Sequence, residues 1–433
     1  MTQNYMKRII IISILIAIVT LWMVAKNINH AAIPEPLPHV PWWNVQSVDT
    51  MKYSRDLTAE KINDPSFDAV IDQHVRDIAE IGATHVAIAT PYDEEFVPML
   101  KRWVNAARKY NLRVWFRGNF SGWEEWFGYP EISREEHMVK TQNFILNHPD
   151  LFVDGDIFSG CPECENGGPG DPRRTGDIEG HRLFLIAEYR MEKEAFQKIG
   201  KEVSVGYNSM NFDVATLVMD KKTTASLGGI VTIDHYVSSP DNLIRDIQTL
   251  SQQSNGKIFL GEFGVPIPDI NGKLSDQEQA QWITDALEKL VDEPSVVGLN
   301  YWVGAGGSTQ IWNDDGSPKP AVLVLRSYFN PAILEGTVAD QYNRPIRNVE
   351  VLSSRKNVKT DLAGHFSIPI IESDARLTAS AKGYTNAELT IDENSQNVKI
   401  IIEKKYDNLF QLIIDRLQLL FSKLVRLASF SSL

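Results

Sequence analysis

One local pattern recurs along the middle of the chain and restricts its fold more than any other feature. An amphipathic stretch ends at Gly or Asn, and a short β-branched run follows. Residues 67–81 read as a helix stopped by Gly82, before a strand over 84–90. Residues 95–110 are stopped by Asn111, before a strand over 112–117, and 181–199 by Gly200, before a strand over 203–207. Gly and Asn are the residues that take the left-handed conformation closing a helix. Further strands are expected at 44–48, 151–158, 229–234, 257–262 and 296–302, and Ser275 with Glu278 forms a capping-box signature before a helix over 279–291. Such alternation implies a parallel sheet with helices outside. Eight units within residues 42–332 predict the α/β class and a (β/α)8 TIM barrel, a fold that takes about 250 residues or more. An open doubly wound sheet is the alternative. No Gly-rich phosphate-binding turn follows an early strand, which weakens its nucleotide-binding version.

The flanks have a different texture. Residues 9–25 carry no charge and follow Lys7 and Arg8. As a helix they span about 26 Å, enough to read as an uncleaved anchor with the rest of the chain outside. A cleaved signal peptide is the competing reading, and it would leave the protein secreted. Residues 1–30 are assigned to this segment and residues 31–41, with four prolines, to a stiff linker. Residues 333–404 alternate with period two and have turn signals near Asn343, Gly364 and Gly383, which predicts a small all-β sandwich. Residues 405–433 read as an amphipathic helix that either packs on this domain or lies at an interface.

In a (β/α)8 barrel the chemistry lies where the strands end. The third expected strand ends in Arg117-Gly118-Asn119, the fourth runs into Cys161-Pro162-Glu163-Cys164-Glu165-Asn166, and the fifth ends in Tyr207-Asn208. The sixth ends in Asp234-His235-Tyr236, the seventh in Gly261-Glu262-Phe263-Gly264, and the eighth in Tyr301-Trp302. Two carboxylates across a barrel mouth suit glycoside hydrolysis, because one protonates the leaving oxygen while the other attacks or stabilises the cationic sugar centre. His235 and Tyr236, one strand from Glu262, are expected to orient it, and Arg117 to keep it ionised. Trp302 offers a face for a sugar ring. Trp123, Trp126 and Tyr129 either extend that platform or pack their own loop.

The stretch from Ile258 to Gly264 resembles the seventh-strand nucleophile motif of clan A glycoside hydrolases and is similar above all to family 5, which holds cellulases and mannanases. Asp234-His235-Tyr236 resembles that group's sixth-strand motif, Trp302 its eighth-strand tryptophan, and the segment from Asp156 to Glu163 its fourth-strand acid/base segment. The resemblance covers residues 42–330 in layout and short motifs in detail. It implies a retaining glycoside hydrolase with Glu262 as nucleophile, Glu163 as acid/base, and Arg117, Asn119, Asn208, His235, Tyr236 and Trp302 as substrate-binding residues. The chain departs from the family at Pro162, where an Asn usually contacts the sugar 2-hydroxyl. That leaves Glu165 as an alternative acid/base. The sandwich resembles a carboxypeptidase regulatory-like domain, similar to transthyretin folds, which implies an accessory role.

The formal net charge is −13 with no long basic run, so nucleic acid is not an expected partner. A carbohydrate substrate, and the membrane through the N-terminal helix, are the expected partners. The sequence leaves the oligomeric state open. No cofactor and no metal are expected. The two cysteines, Cys161 and Cys164, are too few for a structural zinc site and lack a close His pair. A local disulfide or two packed thiols remain as readings. Asp269 to Gly272 reads as a turn rather than a calcium loop. Two further functions stay open: a membrane-tethered glycan-binding protein without catalysis, and a scaffold acting through its C-terminal helix.

Overall fold

The structure is a computed structural model that describes residues 42–353, 356–370, 376–391, 395 and 397–406. The expected anchor, the linker and the C-terminal helix from residue 407 lie outside the described residues. No helix among the described residues is long and apolar enough to cross a membrane.

Nine strands form one all-parallel sheet: β1 Val45–Asp49, β2 His85–Ile88, β3 Arg113–Phe116, β4 Ile157–Phe158, β5 Ser204–Val205, β6 Met210–Asn211, β7 Ile230–Asp234, β8 Lys257–Phe263 and β9 Val296–Tyr301. Their order is β5-β4-β3-β2-β1-β9-β8-β7-β6. The two ends of this order, β5 and β6, are consecutive in the chain. The sheet is therefore a barrel-type ring of eight strand positions whose ladder is open once, inside the fifth. The single strand expected over 203–207 becomes two because Gly206, at φ +86°, turns the chain; a Cβ there would lie 2.8 Å from the Tyr189 ring.

The helix stops behave as their residue types require. Gly82 has φ +87°, Asn111 +59° and Gly200 +67°. Helices Phe67–Glu80, Val97–Lys109, Ile178–Ile199 and Asp276–Val291 lie between the strands, and Ser275 and Glu278 form the reciprocal capping box. The fourth strand is much shorter than expected. Its leading residues are held by a side chain instead of a ladder: Asp156 accepts from the Val114 and Val153 amides and pairs with Arg108.

Inside the ring Val45, Ala87, Trp115, Ile157 and Phe259 form a closed apolar plug, with Trp115 edge-on to Phe259 at 5.0 Å. This plug is the floor of the site. The outer faces of the strands and the inner faces of the helices form the main core.

After the barrel, β10 Ala332–Asp340, β13 His365–Ile370 and β16 Val398–Ile402 make one small sheet, in the order β13-β10-β16. The strands β11 Glu350–Leu352, β12 Asn357–Lys359, β14 Arg376–Ser380 and β15 Ala387–Thr390 make a second, in the order β12-β11-β14-β15. Leu334, Val338, Phe366 and Ile368 of the first sheet pack on Val351, Leu377 and Ala379 of the second, as the period-two pattern demands.

Candidate active site

Residues two apart on a strand share a face, so each inward row of the plug continues upward to the strand's C-terminal end. On β1 the row is Val45, Ser47, Asp49. On β3 it is Trp115 and then Arg117, whose guanidinium sits 5.0 Å above the Trp115 ring. On β7 it reaches Asp234, and on β9 Asn300. These rows deliver one Arg and several carboxyl groups to the same depth.

Strand β8 breaks the rule at the decisive place. By parity from Phe259, Gly261 faces inward and Glu262 outward. Ile233 pairs with Leu260 but Asp234 with Glu262, so Gly261 is an extra residue in the ladder. This bulge turns Glu262 back onto the inner face. Only Gly fits at the bulge, because a Cβ on residue 261 would lie 2.5 Å from Asp234 Oδ1 and 2.7 Å from Ser209 Cβ. Gly261→Ala is expected to cost about 1–3 kcal/mol of stability through overpacking and to misplace Glu262. Urea unfolding and ligand-free crystal geometry check this.

Arg117 binds the cluster together. Its Nη1 donates to Asp49 Oδ2 at 2.5 Å and Glu262 Oε1 at 2.9 Å; its Nη2 donates to Ser209 Oγ at 2.9 Å and Asp234 Oδ2 at 3.4 Å. Asn300 Nδ2 donates to Asp49 Oδ2 at 3.1 Å and to Gly261 O at 2.9 Å, which ties the bulge to β1. Tyr236 Oη donates to the other oxygen of Glu262 at 2.6 Å. Glu262 is thus gripped on both oxygens by donors that favour its ionised form. Burial opposes them and wins in part, so its carboxyl is pushed up to about 7. One guanidinium cannot offset every carboxylate here. Burial, with Glu262 beside it, drives the Asp234 carboxyl well above its usual range.

Glu163 and Glu165 part company. Glu163 lies at the left-handed φ of +47°, which swings its side chain over the mouth. One carboxylate oxygen from each of Glu163, Asp234 and Glu262 lies within 4.8 Å of the other two. Burial raises the Glu163 carboxyl, against the pull of Arg117. Glu165 is buried and turned away, accepting from Asn211 N at 2.7 Å and Asn211 Nδ2 at 2.9 Å. The geometry brings Glu163, and not Glu165, to Glu262.

Several residues expected to bind substrate are committed elsewhere. Arg117 is fully buried beneath Glu262, so it positions a carboxylate and is not presented to a ligand. Asn119 is also fully buried: its Oδ1 accepts from the Phe120 amide and faces His137 Nε2, and its Nδ2 donates to Glu124. Asn208 accepts from Cys161 N and donates to Glu188, so it braces the fourth-strand loop. His235 stacks on Phe212 and faces Asp246 Oδ2 at 3.0 Å, so its side chain does not orient Glu262. Trp123 is buried against Phe184, which settles it as loop packing. Trp126 lies under Arg55, 4.9 Å from its guanidinium. Trp302 is half-buried, edge-on to Tyr236 at 5.9 Å, with Lys52 Nζ over its ring at 6.0 Å.

Sequence reasoning missed Asp49 and Asn300, whose only signal is the inward parity of their strands, and Ser209, which lies between β5 and β6 and carries no such signal. It also missed Glu124. Burial foremost, then Glu163, pushes that carboxyl up to about 8. Two sets of metal-type donors occur among the described residues: Glu163, Asp234 and Glu262, and Cys161, Cys164 and Glu188. In the first, Arg117 already supplies the positive charge.

No family model and no curated protein sequence matches the chain. The fold is similar to that of beta-glucuronidase 2 from Bacteroides uniformis, covalently bound to cyclophellitol-6-carboxylate aziridine, at 12% identity over 77% of this chain and 44% of that one, TM-score 0.44. It is similar to the FMN-binding beta-glucuronidase from Facaelibacterium prausnitzii, at 12% identity over 84% of this chain and 57% of that one, TM-score 0.47. This chain thus spans about half the length of the glucuronidases it matches. It is also similar to a GH5_18 protein from Streptomyces cattleya in complex with Manb1-4GlcNAc, at 14% identity over 70% of this chain and 85% of that one, TM-score 0.48.

Proposed function

We propose that the protein is a retaining glycoside hydrolase acting on a neutral polysaccharide or oligosaccharide. The observation that carries this is the approach of Glu163 and Glu262: carboxylate oxygens within 4.8 Å. Retaining enzymes hold their carboxyl groups about 5–5.5 Å apart, whereas inverting ones need about 6.5–9.5 Å to admit a water. Glu262, in the ionised form that Arg117 and Tyr236 favour, attacks the anomeric carbon. Glu163 gives its proton to the departing glycosidic oxygen. In the second step Glu163 takes a proton from water as that water attacks the anomeric carbon, and Glu262 leaves with its electron pair. The half-buried ring of Trp302, beside Tyr236, is the surface on which a sugar ring would stack. The small two-sheet domain is assigned an accessory role. Export and tethering through residues 9–25 rest on their uncharged composition.

The decisive experiment is azide rescue. With an aryl glycoside of good leaving ability, Glu163→Ala is expected to lose general-base help in the second step, and azide, which needs none, restores turnover. Rescue of Glu165→Ala but not of Glu163→Ala would reverse the assignment. The alternative, a glycan-binding protein without catalysis, predicts calorimetric binding with no hydrolysis over long incubation.

The pH dependence follows from the same pair. The active form holds one proton between the two carboxyl groups, so kcat/KM is expected to be bell-shaped. At low pH Glu262 is protonated and cannot attack; at high pH Glu163 has lost the proton it must donate. Burial raises both carboxyls above 4.5. Both limbs therefore lie above the ordinary carboxylate range, and each belongs to the pair. A rising limb near pH 4 would contradict the assignment.

A further inference from the structure

The proposed reaction gives no part to one sequence motif, the two cysteines on either side of Glu163. Their sulfurs are joined as a disulfide, with the Cα atoms 5.0 Å apart. The chain from Cys161 to Cys164 is thus a four-residue turn closed by a covalent bond, with Pro162 second and Glu163 third. Turns whose third residue has positive φ ordinarily place Gly or Asn there, because a Cβ crowds the backbone in the left-handed region. Glu163 nevertheless stands at φ +47° and ψ 44°. A residue of this kind keeps such a conformation only where its surroundings over-determine it.

The surroundings here are specific. Both cysteines are buried. Cys161 N donates to Asn208 Oδ1 at 3.2 Å, and Cys164 O accepts from Trp123 Nε1 at 3.2 Å. The disulfide therefore joins two anchored points and leaves Pro162 and Glu163 to arch between them. Glu163 N donates to Ser209 O at 2.6 Å, and Glu163 O accepts from Asn166 N at 2.8 Å. Those hydrogen bonds can be exchanged for bonds to water at little net cost; the sulfur–sulfur bond cannot. The groups that grip Glu262 are Arg117 and Tyr236, and neither touches the cysteines. The disulfide thus acts on one member of the carboxyl pair and not on the other.

We propose that the Cys161–Cys164 disulfide is the positioning device of the acid/base. It holds Glu163 in the left-handed conformation with its carboxyl beside Glu262. Without it Glu163 relaxes to negative φ and the carboxyl leaves the mouth. The kinetic consequence rests on the glycosidase reading; the structural consequence does not. The kinetic consequence is also selective. As Glu262 attacks, the glycosidic bond breaks with its electron pair on the departing oxygen, which takes a proton from Glu163. An alcohol needs that proton to depart. A dinitrophenol departs as its anion and does not. Loss of the disulfide is therefore felt in proportion to the basicity of the leaving oxygen, whereas general damage to the barrel would slow every substrate alike.

The test compares the full chain with its Cys161→Ala/Cys164→Ala variant in two ways. A crystal structure of the variant is expected to show Glu163 at negative φ with its carboxyl withdrawn from Glu262, and this arm needs no substrate. On glycosides graded from dinitrophenyl to alkyl leaving groups, kcat/KM of the variant is expected to fall about 10²–10⁴-fold at the alkyl end and far less at the dinitrophenyl end. Added to Glu163→Ala, the same two substitutions are expected to cost little more, because they act through a side chain already removed. If the variant does not fold, the parent reduced with a phosphine takes its place, its two thiols counted by alkylation and mass. Failure of the parent to hydrolyse any glycoside would end the glycosidase reading and leave the structural arm to judge the disulfide. Four results would overturn the proposal: two alkylatable thiols in the unreduced parent, a Glu163 that keeps its positive φ and its place beside Glu262 without the disulfide, an equal loss on all leaving groups, or a full further loss on top of Glu163→Ala.

Discussion

Replacing Glu262 by Gln is expected to lower turnover on the order of 10⁴-fold or more, with the fold intact. Gln keeps the shape and can still accept from Arg117 Nη1 through its amide oxygen, so the grip of Arg117 and Tyr236 survives in large part. What disappears is the nucleophilic charge. The same change removes one carboxylate from a buried site that has several for a single guanidinium. The unfolding midpoint is therefore expected to stay level or to rise. The two measurements together separate chemistry from folding. Activity lost along with the midpoint would point to a structural Glu262, and full activity on any substrate found would end the nucleophile assignment.

Arg117→Met is expected to produce the larger loss of stability, about 3–5 kcal/mol near pH 8, because it strands buried charges instead of removing one. Met fills most of the aliphatic volume above Trp115 but leaves Asp234 and Glu262 without their cation. Those carboxyl groups then hold protons to still higher pH in the folded protein than in the unfolded chain. A folded state that binds more protons loses stability as pH rises. The deficit of the variant is therefore expected to shrink from pH 8 toward pH 5, and urea unfolding at the two pH values measures it. The rising limb of any activity should also move to higher pH, since Arg117 is what pulls the Glu262 carboxyl down. A deficit independent of pH would mean that Arg117 contributes by packing alone.

Much of the scaffold was legible because its signals are local. A helix stop needs only one residue able to take positive φ, and Gly82, Asn111 and Gly200 take it. The capping box at Ser275 and Glu278 is likewise a four-residue event. The strands shortened where a side chain took over the ladder's work, as Asp156 does before β4. The fifth strand divided where Gly206 turned it. Neither outcome shows in hydrophobic periodicity.

The candidate site divides along the same line. Strand ends can be read from sequence, so the chain by itself placed Glu262, Arg117, Tyr236, Asp234 and Trp302 at one end of a parallel sheet. Which side chains then meet is a matter of bulges and backbone torsions. Gly261 adds one residue to β8 and reverses the direction of everything after it, so Glu262 faces Asp234. The positive φ of Glu163 separates it from Glu165, two residues away and turned to Asn211. Asn119, Asn208 and His235 sit at strand ends yet turn to Glu124, Cys161 and Asp246. Asn119 and Asn208 brace the loops from behind rather than facing the mouth. The cysteine pair is the clearest case. In sequence a local disulfide and two packed thiols both stayed open, and the structure joins Cys161 to Cys164. Local pattern determined the order of strands and helices, because each is set by neighbours within a few residues. Tertiary structure alone decided which carboxylates face each other, because that depends on single-residue shifts of register whose cost is met by contacts far away in the chain.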